Sequence, residues 1–176
     1  MRPSLLFLIG YPGCGKSTVG RLSAADRGVP FYDTDALAEG LLGCSVAEAF
    51  GRWGEEHFRR AEAQALRQCL RLSAGVVATG GGLPLQGQGM QQMQRAGDTL
   101  YLQLPPAVLA QRIGANPMLR PRTAALRGDS LLAFIEADLK AREPVYRQCR
   151  YLLPCAPHGV PLTPGEIVQA IAQLTA

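Results

Sequence analysis

Apolar residues fall along this chain in short unbroken runs separated by longer stretches in which they recur every three or four positions. The runs are Leu5–Ile9, a short Val29-Pro30-Phe31-Tyr32, Val76-Val77-Ala78, Thr99–Leu104 and Tyr151-Leu152-Leu153. Runs of this length without polar alternation predict strands buried on both faces. Between them, Glu55 to Leu72 places Phe58, Ala61, Ala65, Leu66, Cys69 and Leu72 on one stripe of a helix. Leu131 to Tyr146, after Asp129-Ser130, predicts the longest later helix. Ser45-Val46-Ala47-Glu48 and Thr163-Pro164-Gly165-Glu166 read as capping boxes, one opening a short helix and the other the last helix. The Gln-rich Gly87–Gln94 reads as a solvated turn and helix face. Alternating strands and helices predict an α/β fold, a parallel sheet of about five strands with helices on both faces.

The first run leads into Gly10-Tyr11-Pro12-Gly13-Cys14-Gly15-Lys16-Ser17, and Thr18-Val19-Gly20-Arg21 opens a helix. Strand, glycine-rich turn and helix make this G-x-x-x-x-G-K-[ST] match a phosphate-binding P-loop. Its N–H groups cradle an anion, and the helix N-terminus adds its positive dipole end. Lys16 reaches the β- and γ-phosphates, and the Ser17 hydroxyl can ligate Mg²⁺. Lysine usage sharpens this. The chain has 16 arginines and only two lysines, Lys16 and Lys140, and an arginine fork does not replace a compact ammonium.

Asp33-Thr34-Asp35 follows the second strand. In an extended segment, residues two apart share a face, so both carboxylates are expected at the carboxyl edge of the sheet, where ligands bind in doubly wound folds. One could organise Mg²⁺ and the other hold a hydroxyl acceptor; an aspartate here could also cap a helix. Thr79-Gly80-Gly81-Gly82 closes the third strand and allows close approach of a ligand to the backbone. Gly114 to Asp129 has few periodic apolar residues and carries Arg120, Arg122 and Arg127, the composition of a lid over phosphates.

Length and composition narrow the class. The 176 residues suit one domain, and 47% hydrophobic with 18% charged residues fits a globular chain. The net charge of +4 comes without a basic run or aromatic stripe, so small anions are expected as partners, with no nucleic acid. No run approaches a membrane span and no signal peptide is visible. Five cysteines without metal-type spacing read as reduced thiols of a cytoplasmic protein. His57 and His158 lack partner spacing, and Trp53 is expected to pack.

The ordered set G-x-x-x-x-G-K-S-T, D-T-D, G-E-x-x-F-R (Gly54 to Arg59), T-G-G-G, an arginine lid and R-x-P-x-Y (Arg142 to Tyr146) closely resembles the shikimate kinase family, from the phosphate loop to about Tyr146. The resemblance implies a three-layer P-loop fold, nucleoside-monophosphate-kinase-like, with a mobile lid at about 114–129 and a substrate-binding segment at about 33–62. It implies transfer of phosphate from ATP, with Mg²⁺, to the 3-hydroxyl of shikimate, by a chain expected to be a monomer. Arg59 and Arg142 would clamp the substrate carboxylate, with Gly80, Gly81 and Gly82 beside them. Asp35 would take the ring hydroxyls, Lys16 and Arg120 the transferring phosphate, and Ser17 and Asp33 the Mg²⁺. ATP would lie along Gly10 to Thr18, with Arg112 on one face of adenine and Pro164 on the other. The lid departs from the family pattern: two leucines usually follow arginine-proline, where Arg122-Thr123 stands here. Cys155 to Gly159 fits no family pattern. Two neighbouring readings share the motifs. A kinase of another polyol acid, such as gluconate, is opposed by the paired arginines and D-T-D. An inactive shikimate-binding regulator is opposed by the filled catalytic positions.

Overall fold

The computed structural model describes residues 4–115, 123 and 125–175. They form a five-stranded sheet in the order β2-β3-β1-β4-β5, every pairing parallel. β1 (Leu5–Ile9) lies at the centre, paired with β3 (Gly75–Ala78) and β4 (Gly97–Gln103). All five β1 side chains are buried, which is why the run shows no polar alternation.

β2 (Phe31–Asp33) and β5 (Tyr151–Pro154) form the edges. β2 starts two residues later than its apolar run, because Pro30 has no N–H for the ladder and only its carbonyl takes part, accepting from Val76 N at 3.0 Å. β4 starts two residues early: the register sets Gly97 opposite Leu5, and a Cβ there would strike the Leu5 carbonyl. A glycine run-in carries no apolar signal.

Seven helices complete the described chain: α1 (Lys16–Arg27), α2 (Thr34–Leu42), α3 (Val46–Cys69), α4 (Gly89–Ala96), α5 (Pro106–Ala115), α6 (Gly128–Tyr146) and α7 (Pro164–Leu174). Both capping boxes form, at Ser45 and Thr163. The short helix opened by Ser45 runs into the amphipathic one, with Gly54 (φ 80°, ψ 174°) as the kink between them. α3 ends at Cys69, so Leu72 lies beyond it. In α4 the glutamines 91, 92 and 94 are exposed while Met90 and Met93 enter the core. Trp53 does not pack inside. It stays 47% exposed, with His57 at a ring separation of 5.1 Å.

The main core surrounds β1 and takes in both faces of the sheet. A satellite core of Ala38, Ala49, Phe58, Ala61 and Ala65 joins α2 to α3. This fastens the 33–62 segment as a unit beside the carboxyl edge, with Phe50 and Phe58 5.1 Å apart. No described helix is long and apolar enough to cross a membrane.

Candidate active site

The phosphate loop leaves the carboxyl end of the central strand and turns through Gly13 (φ 88°) and Gly15 (φ 100°), left-handed conformations that side chains resist. Lys16 is the first residue of α1, and its chain folds back over the loop. Its ammonium donates to the carbonyls of Gly10 at 2.8 Å and Tyr11 at 3.1 Å, so this side chain helps hold the loop in shape. The Cys14 thiol is 1% exposed and turned to the core, 3.7 Å from Lys16 Nζ. The carbonyl of Cys14 receives an Arg112 N–H at 3.4 Å, which holds that arginine, from the last turn of α5, against the outside of the loop.

Asp33 and Asp35 do not share one strand face. Asp33 is the last residue of β2 and the N-cap of α2, whereas Asp35 already lies in the first helical turn. Asp33 Oδ1 accepts from Asp35 N at 3.0 Å, and its Oδ2 accepts from Ser17 Oγ at 2.6 Å. One carboxylate thus caps a helix and also presents an oxygen to the P-loop serine. Thr34 is fully buried and accepts from Gly80 N at 2.8 Å, while Thr79 Oγ1 donates to Leu8 O at 2.9 Å. These two bonds fix the glycine turn against α2 and β1. A Cβ on Gly80 would meet the carboxylate oxygens of Glu62 and Asp35, so any side chain there would push both carboxylates aside.

Arg59 and Arg142 come from α3 and α6 and line one cavity with Asp35 and the glycine turn. Arg59 pairs with Glu55 at 2.7 Å and with Glu62 at 2.5 Å. Glu62 is 1% exposed and also accepts from Gln86 Nε2 at 2.8 Å. Arg142 pairs with Asp138 at 2.8 Å. Burial works against both guanidinium charges, but their partners outweigh it: Glu62 and Glu55 for Arg59, Tyr146 and Asp138 for Arg142. Both pKa values therefore rise, and both stay cationic. Tyr146 is buried, donates to Gly81 O at 2.5 Å, and is pushed up to about 12, chiefly by burial.

Next to this cavity lies a second, lined by the loop residues Gly13, Gly15, Lys16, Ser17 and Thr18 together with Asp33. The two share Pro12, Asp35 and Gly81 as a common wall. The phosphate loop and the pair of arginines therefore open on either side of one aspartate.

A family model described as Shikimate kinase matches residues 12–174. The chain belongs to the shikimate kinase family. The shikimate kinase of Bacteroides fragilis is 37% identical over 147 residues, which cover 84% of this chain and 82% of that one. The crystal structure of a shikimate kinase from Bacteroides thetaiotaomicron superposes with a TM-score of 0.89 at 32% identity, covering 98% of each chain. A shikimate kinase from Acinetobacter baumannii in complex with shikimate gives 0.88 at 29% identity, covering 98% of this chain and 93% of that one.

Within the shikimate kinase pattern, Arg120 and Arg122, expected from the sequence in a lid, lie outside the described residues. Thr123, where the family usually has leucine, is 6% exposed and lines the arginine cavity. Pro164 is an exposed residue at the start of α7 and borders neither of the two adjoining cavities. Sequence reasoning missed Glu62, Phe134 and Asp138, which also line the arginine cavity. The signals were present. Glu62 interrupts an apolar helical stripe, and Phe134, Asp138, Arg142 and Tyr146 repeat every four residues along one face of α6.

Proposed function

We propose that this chain transfers the γ-phosphoryl group of ATP to the 3-hydroxyl of shikimate, giving shikimate 3-phosphate on the route to aromatic amino acids. The observation that carries the reading is the shared wall: Asp35 borders both the phosphate-loop cavity and the cavity of the two arginines. Phosphoryl transfer needs an acceptor oxygen in line with the γ-phosphate, and catalysis is mostly positioning and charge stabilisation. Arg59 and Arg142 hold the acceptor carboxylate through paired N–H donors. That places a ring hydroxyl beside Asp35, which orients it and takes its proton as the oxygen attacks phosphorus. Lys16 leaves the loop carbonyls for the β- and γ-phosphate oxygens and offsets the charge spreading over them. Arg120 is assigned to the same phosphate from the lid, and Arg112 to the adenine end of ATP.

The Ser17 hydroxyl and Asp33 carboxylate, in hydrogen-bond contact at the mouth of the loop, are a hard oxygen pair suited to Mg²⁺. Ser17 would ligate the ion and Asp33 would hold it, and the ion would neutralise phosphate charge. The 33–62 segment supplies Asp35 and Arg59 and is the acceptor-binding part of a single kinase domain.

A coupled ADP-release assay with shikimate, with gluconate and with no acceptor tests this. ADP release that depends on shikimate is the expected result. Release only with gluconate, or none with any acceptor, would overturn it.

A further inference from the structure

Asp138 has no part in the chemistry above, yet it stands in the acceptor cavity on the arginine that would bind the substrate carboxylate. One oxygen, Oδ2, takes both Arg142 Nη2 at 2.8 Å and the Tyr11 hydroxyl at 2.7 Å. The Tyr11 ring lies beneath the Arg142 guanidinium, 5.3 Å from its centroid. Tyr11 is 3% exposed, and burial, followed by the hydrogen bond to Asp138, keeps its phenol protonated and donating. The phenol comes from the phosphate loop itself, one residue after Gly10.

Charge makes this arrangement unusual for an anion site. Among the described residues that line the cavity, the guanidinium groups of Arg59 and Arg142 face three carboxylates, Asp35, Glu62 and Asp138. Glu62 pairs with Arg59 and Asp35 faces the reacting hydroxyl, so Asp138 is the carboxylate whose removal opens one edge of Arg142 to the substrate, while Tyr146 still holds the guanidinium in place. It already holds one edge of Arg142, as an incoming carboxylate would.

We infer that Asp138 is a built-in counter-ion to the acceptor-binding arginine, held there by Tyr11, and that it sets the affinity and charge selectivity of the acceptor site. This rests on the proposed function, because the competing ligand is the shikimate carboxylate. Asp138 acts through Arg142 and is a specificity-determining residue. Tyr11 is a positioning residue.

The test is calorimetric titration of wild type, Asp138→Asn and Asp138→Leu with shikimate, with shikimate methyl ester and with an ATP analogue, with melting temperatures as a check on folding. Removing one carboxylate charge several ångströms from the bound anion should lower the Kd for shikimate about three- to tenfold. The uncharged ester and the ATP analogue should change less than about twofold. A purely structural role would move acid and ester together. Tyr11→Phe should alter the acid-to-ester ratio in the wild-type background and leave it unchanged in the D138N background. If wild type bound shikimate but both Asp138 variants left its Kd unchanged, or weakened acid and ester alike, the inference would be wrong while the proposed function stood. If wild type bound no shikimate, the proposed function would fall and this inference with it.

Discussion

Gly82→Ala offers a sharp test of how the acceptor cavity is built, because its expected effect falls on one side chain. Gly82 has φ −91° and ψ −17°, which any L-residue adopts without strain. The obstacle is Arg59: a Cβ on Gly82 would lie 2.6 Å from its Nη1, 2.9 Å from its Cζ and 3.0 Å from its Nη2. Ordinary contact is about 3.5 Å, so the guanidinium must retreat by roughly 1 Å. Nη1 is the atom paired with Glu62 at 2.5 Å, and Glu62 is 1% exposed and tied to Gln86, so it cannot follow. Arg59 therefore swings away from Gly82 and out of its place in the cavity. One charge-assisted hydrogen bond from Arg59 to the substrate carboxylate, worth about 1.5–3 kcal/mol, goes with it, so the Kd for shikimate should rise roughly 10- to 150-fold. ATP-analogue affinity should stay within about twofold, since the phosphate loop is untouched. Calorimetric titration of both ligands decides it. An unchanged shikimate Kd would refute the geometry, and a parallel loss of ATP binding would mean the variant had damaged the fold.

Asp33→Asn should raise the Mg²⁺ concentration needed for half-maximal rate at saturating shikimate, while Asp35→Asn should impair shikimate binding and turnover at saturating Mg²⁺; a common shift along one axis would make the pair a single metal site. Gly40→Ala, inside α2 with nothing within 4 Å of the new methyl, should stabilise the fold by about 0.5–1 kcal/mol. Thermal melting reads this, and a lowered midpoint would contradict the open space. Burial pushes the Cys69 thiol up to about 11 and the Cys155 thiol up to about 12. Their folded values lie above the ~8.5 of a free thiol, so their contribution is complete below that pH and is lost progressively from there until pH has risen through the folded values. The loss should be on the order of 2–3 kcal/mol per thiol by about pH 10.5. Urea midpoints from pH 8 to 10.5 should fall, and Cys155→Ala should flatten the slope; the same slope in both proteins would show that Cys155 carries none of it.

The linear order of residues was enough to determine the phosphate loop and the buried strands, because the interactions that make them are local. A P-loop is eight consecutive residues between a strand and a helix, and the burial of β1 on both faces removes polar alternation from its sequence. The capping boxes at Ser45 and Thr163 are local in the same sense, as each closes within four residues. The Asp33-Thr34-Asp35 motif was legible, but its geometry was not. Which oxygen caps α2 and which meets Ser17 depends on where α1 and β2 lie relative to each other. Trp53 was expected to pack, and it does so at the surface, against His57.

Tertiary structure alone decided how the distant charges pair. Tyr11 and Asp138 are 127 positions apart, and they meet because α6 packs across the loop that leaves β1. Gln86 reaches Glu62 across 24 positions for a similar reason. Periodicity assigns a carboxylate to a helix face. Only the packing of that face against a glycine turn turns the carboxylate into the partner of an arginine in the site.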